Sequence, residues 1–280
     1  GVVGIDAASE GPFKKGGNAS YLFNYRYSTL ALVAPLLAEN AGGIRYQDFS
    51  FKLNFPTRRS GTFSVWGMAL ADLVGADAKE DLSLWIYDDD RENHSIKQYS
   101  GVSGISHQVH FKGKHYLKTT LATTFNGMNY RTERLDSNLN IQPKSLLDNR
   151  FNHLVFSSFL NTGFSSRHTN RTGVSLTQMN YELLITNTAL SGAPLVKQTG
   201  QSALLSAYTQ STLQAGDKLT LNIGMNAQLF TLNRAWSLEP RAGVIYRIRP
   251  KQSLNLGYGL HSRLERLNYY FIQDSKRPEQ

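Results

Sequence analysis

The chain has 280 residues, a formal net charge of +9, no cysteine, 23 glycines, 14 tyrosines and 14 phenylalanines. The lack of cysteine excludes a disulfide scaffold, thiolate zinc sites and a cysteine nucleophile, and a mean hydropathy of −0.36 with no run of ~20 apolar residues excludes a membrane-spanning helix. The positive charge is scattered in ones and twos, which argues against a nucleic-acid partner, while abundant Gly, Tyr, Phe, Thr, Ser and Asn favour strands and tight turns.

In chain order, a weak strand is predicted at 2–8. In 21–27, Tyr21, Phe23, Tyr25 and Tyr27 share one face and Arg26 falls on the other. Leu30–Ala41 reads as a short helix ending at Gly42 and Gly43, too short to cross a membrane and assigned to a loop. In 49–55, Phe49, Phe51, Leu53 and Phe55 oppose Ser50, Lys52 and Asn54. Weaker strands follow at 62–71, 103–111, 116–126, 152–160, 173–186 and 202–212.

The clearest strand is 218–229, where Leu219, Leu221, Ile223, Met225, Ala227 and Leu229 alternate with Lys218, Thr220, Asn222, Gly224, Asn226 and Gln228. A helix would place apolar residues three and four apart, so period two decides for a strand. In 237–248, Glu239 and Arg241 occupy the polar face; 253–260 alternates again, and a last strand is predicted near 267–273. About a dozen strands of roughly eight to twelve residues result. At ~3.3 Å per residue, a tilted strand of that length crosses the ~25 Å apolar band of an outer membrane barrel.

The connections alternate too. Short ones fall at Gly11–Asn18, Pro56–Gly61, Lys112–Lys114, Gly163–Arg171, Ala215–Asp217 and Arg249–Lys251, and between them come long ones near 30–46, 72–100, 127–150 and 187–201, with a shorter one at 231–236. An up-and-down barrel gathers short turns at one rim and long loops at the other. The short turns and their flanks carry Lys14, Lys15, Arg58, Arg59, Lys112, Lys114, Arg167, Arg171, Lys218, Arg249 and Lys251, with Phe13, Phe55, Phe63, Phe111, Tyr116, Phe164 and Tyr246 close by. That composition suits a bilayer interface with an aromatic girdle. The expected fold is therefore all-β: an antiparallel up-and-down transmembrane β-barrel, with lipid outside and Arg26, Lys52, Asn222, Asn226, Glu239 and Arg241 facing the lumen.

No catalytic constellation can be placed, so an enzyme is not expected. Asp88–Asp90 lacks the ligand spacing and turn glycine of a calcium loop and reads as a solvated loop. His107 and His110 point to opposite faces of a strand and cannot converge with His115 on zinc. No metal or cofactor is expected. Trp85, Tyr87 and Trp236 are the loop residues that could stack on a sugar or an aromatic cargo.

Two segments carry a family resemblance. EGPFKKGGNASYLFNYRYSTL (10–30) resembles the early barrel hairpin of TonB-dependent receptors of Bacteroidetes-type bacteria. There an acidic residue, Gly and Pro open a periplasmic turn before a Ser-aromatic-Leu strand with an internal Arg, matched here by Ser20, Tyr21, Leu22 and Arg26. SLEPRAGVIYRIRPKQSLNLGYGLHSRLE (237–265) resembles a mid-barrel hairpin of the same family, through Glu239, Pro240, Arg241, Gly243, Pro250, Ser253, Gly257, Tyr258 and Gly259.

The resemblance implies a barrel of about 22 strands filled by an N-terminal plug, located in the outer membrane of a Gram-negative bacterium. Residues 1–280 would form one partial barrel domain of about 12–13 strands, starting after the plug and stopping before closure. The activity implied is TonB-driven uptake of a large scarce nutrient, a siderophore, glycan or similar cargo. The partners implied are outer membrane lipid, the plug, the TonB complex reached through the N-terminal region, and a surface lipoprotein. Two rival readings stay open: a passive porin closed within this chain, and a soluble carbohydrate-binding β-sandwich.

Overall fold

A computed structural model describes residues 4–28, 44–190 and 193–272. Leu30–Ala41 lies outside the described residues. The fold is one antiparallel sheet of twelve strands in sequence order. These are β1 (Gly4–Pro12), β2 (Ser20–Ser28), β3 (Ile44–Pro56), β4 (Thr62–Ala76), β5 (Glu92–His110), β6 (Tyr116–Leu135), β7 (Ile141–Gly163), β8 (His168–Asn187), β9 (Val196–Gln214), β10 (Leu219–Phe230), β11 (Ala235–Arg249) and β12 (Gln252–Gly259). Every strand pairs only with its chain neighbours, so β1 and β12 are the two edges and do not pair with each other among the described residues. A porin closed within the chain would need that pairing. A sandwich would need a second sheet against the apolar face, and that face is instead open, with Ile223 62% exposed.

The short turns close as the sequence requires. Between β3 and β4, Thr57 takes the Gly61 carbonyl through both its backbone N–H and its hydroxyl, and Gly61 turns the chain at φ 85°. A Cβ there would sit 2.2 Å from the Gln108 carbonyl oxygen, so only glycine fits.

The strands of the middle of the sheet are longer than predicted, reaching 23 residues in β7. At ~3.3 Å per residue and ~45° tilt, such a strand rises roughly 50 Å, about twice the apolar band. The predicted loops 72–100, 127–150 and 187–201 shrink to 77–91, 136–140 and 188–195. The physical reason is an exchange of polarity between the two faces. Near the short turns, the outer face of β5–β9 carries Ile105, Leu121, Leu154, Phe156, Val174 and Leu205. Higher up, that face carries Lys97, Asn129, Arg131, Asp148, Arg150, Glu182 and Lys197. These charges need water, so the upper wall stands clear of hydrocarbon.

The inner face changes in the opposite sense. Met179, Tyr181, Leu183, Val196 and Phe230 form a buried apolar cluster there, and the chain after β12 folds back to cover it. The predicted strand near 267–273 is instead a 3₁₀ turn, Leu267–Tyr270, that buries Leu267. Tyr270 packs on Phe230 at 5.6 Å and Phe271 on Tyr181 at 5.3 Å between ring centroids. The run Leu267–Ile272 is nearly continuous in apolar residues, which suits a curled segment better than a strand with one wet face.

On the lipid-side face, aromatic rings lie over glycines of the neighbouring strand. A Cβ at Gly67 would meet Phe51 at 2.6 Å, and one at Gly101 or Gly127 would meet Phe125 or Tyr99 at 2.2 Å. These rings fill the space the glycines leave and let the sheet curve.

Candidate functional site

The polar inner face carries the six residues assigned to it from sequence. Arg26 on β2 faces Asp48 on β3 and bonds it at 2.8 Å. Lys52 is exposed between Leu22 and Trp66 in register. Nearby, Ser64 donates to Asn54, the Trp66 indole donates to Ser106, and Ser106 meets Thr120 at 3.1 Å. Lys52, Trp66, Ser106 and Lys118 help line a depression of about 670 Å³. Asp48, outside the predicted strand 49–55, joins this face because β3 begins at Ile44 and continues the alternation of Ser50 and Lys52.

Across the sheet, Asn222, Gly224, Asn226 and Arg241 line a second depression of about 480 Å³. Asn222 accepts from the Thr212 hydroxyl at 2.7 Å. Glu239 is the hub. Its side chain is 2% exposed and accepts from Arg241 at 2.7 Å and from Asn226 at 3.2 Å. Ser262 donates to it through both its backbone N–H and its hydroxyl. Glu239 thereby pins the returning segment 260–272 to the inner wall, a role invisible in the alternation of β11 alone.

At the upper end of the same face lies a second buried carboxylate, Glu92, also 2% exposed. Arg134 reaches it from the partner strand at 2.8 Å and Lys144 at 2.6 Å. By strict alternation Lys144 would point outward. The register shift opposite Thr132 and Glu133 is a β-bulge that re-aims it. Burial pushes the Glu92 carboxyl upward, but the hydrogen bonds from Lys144 and Arg134 outweigh it and hold the pKa below the ordinary value.

The loop 77–91 leans on this network. Asp88 pairs with Arg91 at 2.7 Å and Arg134 at 3.0 Å. Asp90 pairs with Lys79 at 2.7 Å and accepts from the backbone N–H groups of Ile86 and Tyr87. Lys79 and those N–H groups lower its pKa to about 2. The run Asp88–Asp90 is thus not simply solvated; it braces the loop. Asp89, Glu92 and His94 bring ligand atoms within 4.8 Å of one another, yet both Glu92 oxygens are already taken by cations.

The loop aromatics separate. Trp85 donates its indole N–H to the Lys79 carbonyl and is anchored, whereas Tyr87 is 75% exposed at the loop surface. Trp236 is not in a loop. It lies in β11 opposite Leu229, on the outer face with Leu238, and is 76% exposed. It therefore points away from the polar face that carries Glu239 and Arg241. His107 stacks on Phe63 at 4.3 Å, and His110 hydrogen-bonds Gln108, so the two are occupied on separate faces.

An up-and-down sheet with an apolar outer band, a polar inner face and braced loops at one rim is the architecture of a transmembrane β-barrel wall. No protein-family model matches the sequence, and a search of curated proteins gives no match. Among solved structures, the chain is similar to FpvAI in its complex with pyocin S2, with a TM-score of 0.67, 14% identity, and coverage of 92% of this chain and 42% of that one. It is similar to the alcaligin outer membrane receptor FauA of Bordetella pertussis, with a TM-score of 0.61, 13% identity, and coverage of 91% and 40%. It is also similar to the siderophore receptor PirA of Acinetobacter baumannii, with a TM-score of 0.58, 14% identity, and coverage of 91% and 39%. At these identities the likeness is one of fold, and the chain spans about two fifths of each neighbour's length.

Proposed function

We propose that this chain forms part of the wall of a TonB-dependent transporter in the outer membrane of a Gram-negative bacterium, taking up a large scarce nutrient. The observation that carries this reading is the pair of faces: an exposed apolar outer band, and an inner face holding Arg26–Asp48, Lys52 and the Glu239 hub. A wide lumen lined by charge has to be filled by water or by an inserted plug. The plug, the TonB complex and a surface lipoprotein are the partners this reading calls for. PirA is named as a siderophore receptor and FauA as a receptor for alcaligin, which makes a siderophore the first cargo to try and a glycan the second. The chain contributes no catalysis in this reading, and residues 1–280 act as one partial barrel domain.

The test is uptake by cells carrying the complete gene. Accumulation of labelled ferric siderophore or oligosaccharide should require both this gene and TonB. Uptake that continues undiminished without TonB would refute active transport and favour a passive pore.

A further inference from the structure

The net charge of the protein is concentrated at one rim. The six short turns, 13–19, 57–61, 111–115, 164–167, 215–218 and 250–251, contain nine of the basic residues named from sequence and one carboxylate, Asp217. The described loops of the opposite rim contain Lys79, Arg91 and Arg234 against seven carboxylates. The nine turn cations are all exposed, and the single ion pair made by them among the described residues is Arg167 with Asp217, at 3.6 Å. On the opposite rim, by contrast, Lys79 and Arg91 are paired within the loop.

Unmatched like charges in a row repel one another, and a fixed partner of opposite sign relieves that repulsion. The depth of the row identifies the partner. Exposed rings lie in these turns or at the strand ends beside them: Phe13, Phe111 and Phe164 open three of the turns, Phe13 stacks on Phe55 at 5.8 Å, and Phe63 follows the second turn. Such rings sit at the boundary of hydrocarbon and headgroups. The cations beside them in the same turns, Lys14 after Phe13, Lys112 after Phe111 and Arg167 after Phe164, are therefore at headgroup height. Successive turns are two strands apart, ~10 Å, so the charges trace the perimeter of the wall as a line. A line along the membrane edge matches a row of lipid headgroups; a folded acidic protein would need a compact patch.

We infer that the short-turn rim binds anionic phospholipid headgroups of the periplasmic leaflet, selecting phosphatidylglycerol- or cardiolipin-type lipid over zwitterionic lipid. The inference rests on the membrane reading of the fold, since the same turns in a soluble protein would meet no leaflet. It also accounts for a chain of charge +9 with no nucleic-acid signature.

The experiment uses the intact protein reconstituted in phosphatidylcholine bilayers, with spin-labelled phosphatidylglycerol and phosphatidylcholine as probes of the lipid annulus. Wild type should prefer phosphatidylglycerol on the order of fivefold, and about 0.5 M salt should weaken the preference, because the Debye length then falls to a few ångströms. A variant carrying K14Q, K15Q, R58Q, R59Q, K112Q and K114Q should lose most of the preference. Exchanging Lys and Arg at the same six positions should retain it. Heat-modifiable mobility on gels reports whether each variant has assembled. Should the neutral variant fail to assemble, the salt titration of wild type and of the exchange variant decides, and a preference indifferent to salt overturns the inference. An assembled neutral variant with unchanged preference overturns it as well, as does retention of soluble polyglutamate by a wild-type rim that shows no lipid preference. A wild-type protein that enters no bilayer would overturn the membrane reading, and the rim assignment with it.

Discussion

Replacing Ile223 by arginine tests the sidedness of the sheet at its most exposed apolar position in β10. Ile223 is 62% exposed and lies between Ser211 of β9 and Ala242 of β11 in register. It stands four residues above Leu219, the first residue of the strand. At ~3.3 Å per residue and ~45° tilt, that is about 10 Å above the turn, near the middle of the ~25 Å apolar band. An arginine there should destabilise the folded protein by roughly 2–4 kcal/mol. The neighbouring change, Asn222→Arg, points into the 480 Å³ depression. It sacrifices the hydrogen bond from Thr212, about 1 kcal/mol. Urea titration of the intact protein folded in phospholipid vesicles, followed by the shift in gel mobility, measures both. Equal losses at the two positions, or a larger loss at Asn222, would refute the assignment of lipid and lumen faces.

Three further outcomes follow from the upper wall and the returning segment. Lys144→Met leaves buried Glu92 with Arg134 as its main cation and should cost about 1–2 kcal/mol, less than for a fully buried pair because Lys144 is partly exposed; the same urea titration checks it, and an unchanged midpoint would contradict the bulge-directed contact. The Asp90 carboxyl is held at about 2 against an ordinary 3.8, so its bracing of loop 77–91 is complete above the ordinary value and fades as the pH falls toward 2. Amide protection at Ile86 and Tyr87 should decline across that window, and Asp90→Ala, which removes the acceptor, should abolish the protection at neutral pH; protection independent of both would exclude the role. Ser262→Ala removes the hydroxyl contact to Glu239 and should raise hydrogen exchange across 260–272, with an unaltered exchange rate counting against Glu239 as the pin.

Much of the membrane-crossing part of the fold is legible in the sequence, because a wall between lipid and water forces a strict period of two. In 218–229 every second residue states which side it faces, and β10 occupies Leu219–Phe230. The upper halves of β5–β9 are harder to read. Their alternation persists, but Asn129, Arg131 and Glu133 now face outward while Met128 and Tyr130 face inward. With charges and Pro143 nearby, such stretches look like loops. Glu92 was hidden for a related reason: its cation Lys144 is 52 residues away and reaches it through a bulge that strict alternation forbids. Glu239 and Arg241 were visible as polar-face charges, whereas the capture of Ser262 by Glu239 depends on a returning segment whose apolar run suggested a strand.

The rings laid over glycines bear on how the sheet finds its alignment. A slip of one residue between neighbouring strands turns apolar side chains inward and is rejected by polarity alone. A slip of two preserves every face and passes that filter. Between β5 and β6, however, Phe125 lies opposite Gly101 and Tyr99 opposite Gly127. Sliding two residues one way sets Phe125 against Ser103 and Tyr99 against Asn129, and the other way drives Phe125 against Tyr99 itself. The glycine sockets thus act as a shape code for even-numbered errors, complementing the polarity code for odd ones, and together they leave one alignment in which the hairpin closes without collision.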